Sequence, residues 1–166
     1  MKKTWSVHRL CVNAILAALY AVITILTAPL SYGLTQFRLS EALIVLCCFE
    51  PGLGWGITLG CLLANLFSTV TALDVVVGTL ATALACCWTA RCRRSGLVPL
   101  PNILCNGLIV GAMLALVLFP GNFAEGFALA FAQVAFGEAV VMYGLGLPLY
   151  LFLRRSNLID RIYRPR

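Results

Sequence analysis

The sequence predicts an all-α integral membrane protein, a single bundle of six transmembrane helices with both termini on the cytoplasmic side, and three observations predict it. Hydrophobic residues make up 61% of the 166 residues, well above the roughly 45–50% of a soluble domain. Charged residues are only 11%, too few to clothe a soluble particle of this size. Six apolar runs of near-spanning length follow one another between polar, proline and glycine punctuation. The same composition excludes a disordered chain. The length makes residues 1–166 one membrane-embedded domain.

The first run, 10–29, follows Lys2, Lys3 and Arg9. It is too long for a cleavable signal peptide and carries no small-residue cleavage site after a short apolar stretch. The second and third runs, 38–49 and 52–68, are short and meet at Glu50-Pro51-Gly52, where proline disfavours helical backbone in the residue before it. Runs of this length tilt or stop short of a full crossing. The fourth, 74–90, opens on Asp74 and ends before Arg91, Arg93 and Arg94. The fifth is 101–119 and the sixth 128–152, the latter followed by Arg154, Arg155, Arg161, Arg164 and Arg166.

Every basic residue except Arg38 therefore falls in one of three clusters at run ends, while the connections 30–37, 69–73 and 120–127 carry Glu125 and no basic residue. An even number of spans and this positive-inside bias agree on one orientation. A net charge of +6 so placed points to topology and the lipid bilayer surface, and no nucleic-acid partner is expected. The eight cysteines lie mostly within apolar runs, two pairs are vicinal and no Cys-x-x-Cys occurs; the single histidine, His8, sits among the amino-terminal basic residues. They read as small core- or lipid-facing residues, with no metal and no cofactor expected.

Small residues form stripes. Ala14, Ala17, Ala18 and Ala21 share one face of the first helix, and Gly56, Gly60 and Ala64 recur every fourth residue in the third. Such faces let helix backbones approach closely, either within this chain or against another membrane subunit.

Polar and ionisable side chains are costly in a bilayer, so each is a candidate for function. Gln36, Arg38 and Glu41 open the second run, Asn65 closes the third, Asp74 opens the fourth, Asn106 lies in the fifth, and Gln133 and Glu138 lie in the sixth. Three carboxylates against one guanidinium leave surplus acceptors, which suits a ligand rich in N–H donors or positively charged and approached from outside. Tyr32, Phe37, Phe67, Phe136 and Tyr143 are candidates to stack on a planar ring. Purely structural roles stand beside these: Arg38 pairing with Glu41, Asp74 capping its helix, Asn65 and Asn106 joining helices. Glu138 has no basic residue expected at its depth. No lysine follows Lys3, so a phosphate-binding Gly-Lys-Ser/Thr loop is impossible and ATP hydrolysis must come from another chain. No hydrolase or metalloprotease signature occurs, and an enzyme is not expected.

The run Gln36-Phe37-Arg38-Leu39-Ser40-Glu41-Ala42-Leu43 resembles the queuosine precursor transporter family, the substrate-binding (S) components of energy-coupling factor transporters. The resemblance extends to Ala18-Leu19-Tyr20 with Ala28-Pro29-Leu30, to the stretch 59–68, to Asp74 with Gly78 and Ala81-Thr82, to Pro101 with Asn106 and Gly111, and to Gly137-Glu138 ahead of Tyr143 and the stretch 145–149. It implies a six-helix capture subunit of a prokaryotic plasma membrane that holds queuine or a related 7-deazaguanine in its outer half. It also implies a membrane scaffold subunit and two ATPase subunits as partners, with the Ala14, Ala17, Ala18 and Ala21 face docking on the scaffold. Glu41 or Glu138 would accept the paired N–H donors of such a base, Arg38, Asn65 or Asn106 would donate to its carbonyl oxygen, and Asp74 or the other glutamate would meet any aminomethyl cation, with Gln133 a further substrate-binding candidate. The rival class is a small oligomeric secondary transporter or channel for a polar or cationic metabolite, and a third is a purely structural membrane partner.

Overall fold

The computed structural model describes residues 7–32, 35–68, 72–92, 94–156 and 158–159, and among them every regular element is helical. Lys2, Lys3, Arg93, Arg161, Arg164 and Arg166 lie outside the described residues. Helix α1, Val7–Leu26, has no glycine or proline in its 20 residues and so rises about 30 Å unbroken. Thr27 ends it, and Pro29 sits at the start of the four-residue α2, Ala28–Ser31.

The second run is not an α-helix. Leu39–Cys48 winds as ten residues of 3₁₀ helix, long for a form that rarely exceeds three or four residues. Its rise of roughly 2 Å per residue carries ten residues about 20 Å, further than α geometry would. Glu50 and Pro51 end it, and a 3₁₀ turn, Pro51–Leu53, leads into α3, Gly54–Asn65. The third run is thus trimmed at both ends relative to 52–68, by the proline turn before it and the 66–67 turn after it.

Helices α1 and α3 pack closely because glycine permits it. A Cβ at Gly60 would lie 2.7 Å from the Ala17 carbonyl oxygen, and one at Gly56 would lie 2.6 Å from that of Asn13. The Asn13 side chain in turn accepts the Gly56 N–H at 2.8 Å. Ala17 and Ala21 are buried, whereas Ala14 and Ala18 are exposed. The four-alanine stripe therefore splits, and one pair packs inside the chain.

Helix α4, Leu73–Thr89, lies against α3. Then come two long rods, each an α-helix interrupted by a single π turn. In the first, α5 (Leu100–Cys105) passes through the π turn Asn106–Val110 into α6 (Gly111–Leu118). In the second, α7 (Phe123–Val141) passes through Met142–Gly146 into α8 (Leu147–Ser156). The sixth run accordingly starts at 123 and not at 128: Glu125 falls in the first turn of α7, where a carboxylate complements the helix dipole and supports the helix. π turns of this kind recur at functional sites.

Three helical stretches, Val7–Leu26, Ser95–Leu118 and Phe123–Ser156, are long and apolar enough to cross a membrane, while Leu39–Cys48 and Leu73–Thr89 are apolar but shorter. The chain is a multi-pass membrane protein. At its centre stands the 3₁₀ helix, touching α1, α3, α4, α7 and α8, with Ile44, Val45, Leu46 and Cys47 buried among them.

Candidate functional site

Residues 35–38 are strapped to α7 before the 3₁₀ helix begins. The Thr35 hydroxyl donates to Gln133 Oε1 at 3.1 Å, and the Phe37 ring meets Phe136 edge-on at 6.4 Å between centroids. Between them the backbone of Gln36 lies so close to Gly137 that a Cβ there would overlap the Gln36 carbonyl oxygen. Only glycine fits. This strap sets the register in which Arg38, Ser40 and Glu41 enter the middle of the bundle.

Two polar groups follow from that register, and a third joins α5 to α7. In the first, Arg38 donates from Nη2 to Asp74 Oδ2 at 3.2 Å and from Nε to the Ser31 carbonyl at 3.3 Å, with the Tyr32 ring 5.7 Å from its guanidinium carbon. Ser68 donates to the same Asp74 oxygen at 2.7 Å, and Asn65 Nδ2 donates to the Asp74 carbonyl at 3.1 Å. Gly78 makes room for this meeting, since a Cβ there would lie 2.8 Å from Asp74 Oδ1 and 2.9 Å from Asn65 Nδ2. In the second group, Tyr20 of α1 and Thr82 of α4 both donate to Glu41 Oε1, at 2.6 and 3.2 Å. Ser40 and Thr24 share a hydrogen bond of 2.6 Å beside them. In the third, Asn106 Nδ2 donates to Asn102 Oδ1 at 2.9 Å, and Asn102 Nδ2 donates to Glu138 Oε2 at 2.8 Å.

The groups are stacked along the bundle. Thr82 lies eight residues beyond Asp74 on α4, about 12 Å of helix rise, so the Glu41 level is well below the Arg38–Asp74 level. Arg38 and Asp74 neutralise one another, whereas the hydrogen bonds to Glu41 and Glu138 come from neutral groups.

Of the six acidic or amide residues at these levels, all but Asn102 keep an acceptor with no hydrogen bond: Glu41 Oε2, Glu138 Oε1, Asn106 Oδ1, Asn65 Oδ1 and Asp74 Oδ1 are buried and unpartnered. Buried acceptors in native proteins are normally satisfied, because stranding one costs about 1–3 kcal/mol.

The structure thus brings together Arg38, Asp74 and Asn65, and joins Glu138 to Asn106 through Asn102. Gln133 is half-buried and tied to the strap at Thr35. Arg38 pairs with Asp74 and not with Glu41, and Asp74 makes no cap on α4. Of the aromatic candidates, Tyr32 is buried beside Arg38, while Phe67, Phe136 and Tyr143 are exposed. Sequence reasoning missed Tyr20, Thr82 and Asn102, which hold the two glutamates. Asn102 carried a signal, standing four residues before Asn106 on the same helical face. Away from the polar levels, an apolar groove between α1 and α3 is lined by Leu10, Ala14, Trp55 and Leu59.

Comparison with known proteins gives the same direction. The QueT transporter family matches residues 10–155. The queuosine precursor transporter QueT of Lactococcus lactis subsp. cremoris (strain MG1363) is 38% identical over 84 residues, which is 49% of this chain and 48% of that protein. No solved structure matches the chain. With most of its length matched, from α1 to the end of α8, the chain belongs to the QueT transporter family.

Proposed function

We propose that the chain is the substrate-capture subunit for uptake of a queuosine precursor, queuine or a related 7-deazaguanine, held between the 3₁₀ helix, α5 and α7. The observation that carries the reading is the set of unpartnered buried acceptors at Glu41, Glu138 and Asn106. A 7-deazaguanine presents a ring N–H beside an exocyclic amine, a donor pair that one carboxylate accepts in two hydrogen bonds. A matching donor edge converts a stranded-acceptor cost into binding energy. The name of the Lactococcus relative supports the same substrate class.

In this proposal all six helical segments cross or enter a prokaryotic plasma membrane, the short ones as the 3₁₀ helix and α3, with both chain ends and the Arg91 and Arg94 connection on the cytoplasmic side. The Arg38–Asp74 level then faces outward and the ligand enters past it. The chain hydrolyses nothing. A scaffold subunit and two ATPase subunits of the energy-coupling factor type supply the driving force, and the exposed Ala14 and Ala18 beside the α1–α3 groove offer a flat face on which the scaffold docks.

Reconstitution in proteoliposomes tests this. Uptake of labelled queuine is expected only when scaffold and ATPase subunits are present with ATP. Uptake by the chain alone, down an ion gradient, would instead establish a small secondary transporter or channel.

A further inference from the structure

Asn102 lies outside the residues that composition and charge single out, yet it is fully buried and sits between Asn106 and Glu138 with both of its amide atoms engaged. With Glu138 as a carboxylate, the polarity of that chain is fixed. A carboxylate oxygen accepts, so the Asn102 amide nitrogen must face Glu138 Oε2, and its carbonyl oxygen is left to receive the Asn106 amide nitrogen. The carbonyl oxygen of Asn106 and the second carboxylate oxygen of Glu138 are then left free. These are the two atoms of this group that lack a partner.

Resting on the proposed function, we propose that Asn102 is the positioning residue of the site: it orients Glu138 and Asn106 so that both turn acceptors, and never donors, toward the ligand. Three features make the position suited to this. Asn102 and Asn106 are one helical turn apart, so their side chains lie over one another on a single face. The π turn that begins at Asn106 changes the helical phase beyond this pair, so the amide relay ends there. Both amide atoms of Asn102 are already engaged, so its role is to act through the carboxylate and not on the ligand.

The proposal predicts a specific rescue. In Glu138→Gln the Asn102 amide nitrogen captures the new side chain's carbonyl oxygen, which turns the new amide nitrogen toward the ligand's N–H edge, donor against donor. In Asn102→Asp a carboxylate confronts Glu138 at hydrogen-bond distance. In the double variant the carboxylate introduced by Asn102→Asp accepts from Asn106 and from the amide nitrogen introduced by Glu138→Gln, and the carbonyl oxygen of that amide points to the ligand again. Each single variant should therefore bind at least about tenfold more weakly than the parent, and the double variant should recover most of that loss.

The experiment is equilibrium binding of 7-cyano-7-deazaguanine and 7-aminomethyl-7-deazaguanine to the purified full chain and to all three variants, with melting temperature measured on the same preparations. Recovery in the double variant, with Glu138→Gln melting near the parent, is the expected result. A double variant that binds no better than Glu138→Gln, while melting like the parent, overturns the proposal. Should the parent bind neither probe, the proposed function fails instead, and infrared spectroscopy of the ligand-free chain decides the positioning role by itself. The carboxyl band assigned to Glu138 by its loss in Glu138→Gln should shift in Asn102→Leu, and an unshifted band overturns the role.

Discussion

Arg38 and Asp74 are both almost wholly buried and joined by a single 3.2 Å contact, which makes their energetic coupling the most testable pairwise feature of the protein. Removing one member of a buried pair strands the other at a cost of about 3–5 kcal/mol, whereas removing both can be nearly neutral. Arg38→Ala should therefore lower the melting temperature in detergent sharply, and Arg38→Ala with Asp74→Ala should recover much of the loss. Additive losses in the double variant would show that the pair contributes nothing as a pair. These two residues were legible in the sequence because ionisable groups are so costly in a bilayer that few are present without a role. The residues that hold the glutamates were harder to read. Tyr20 and Thr82 carry hydroxyls that helices tolerate at low cost, so nothing in their type marks them, and only the fold brings them to Glu41.

At the scale of elements, the decisive contact is the strap of residues 35–38 on α7. Its closest point is backbone against Gly137, so Gly137→Ala must push the strap outward, and with it the start of the 3₁₀ helix that bears Arg38 and Glu41. The expected outcome is a folded protein whose ligand affinity falls by about tenfold or more, as overpacking at a rigid backbone contact costs roughly 1–3 kcal/mol. Unchanged binding in Gly137→Ala would mean that the strap does not set the site. Existence and order of the helical runs were readable from apolar length and punctuation. Their form was not. The 3₁₀ winding of Leu39–Cys48 answers to neighbours on five sides more than to local propensity. The early start of α7 hinged on whether Glu125 was read as loop polarity or as a favourable first-turn charge.

For the whole molecule, burial divides the alanine stripe of α1. Ala17 and Ala21 are buried, Ala17 against Gly60 of α3, while Ala14 and Ala18 remain exposed, Ala14 lining the groove that Trp55 borders. Ala14→Leu or Ala18→Leu should leave ligand binding near the parent's and abolish copurification with scaffold and ATPase subunits; joint loss of both would assign the face to internal packing. A sequence stripe cannot distinguish these fates, because periodicity places residues on one face without saying where a neighbour's edge falls across it. What unites the three scales is the claim that buried, unpartnered acceptors on Glu41 and Glu138 receive a donor-rich base. The most direct test is equilibrium binding of queuine and its nitrile- and amine-bearing precursors to the purified chain, compared with Glu41→Gln and Glu138→Gln. Binding by the parent with losses of tens-fold or more in each variant, about 2–5 kcal/mol, is the result expected; variants that bind within about threefold of the parent would contradict it.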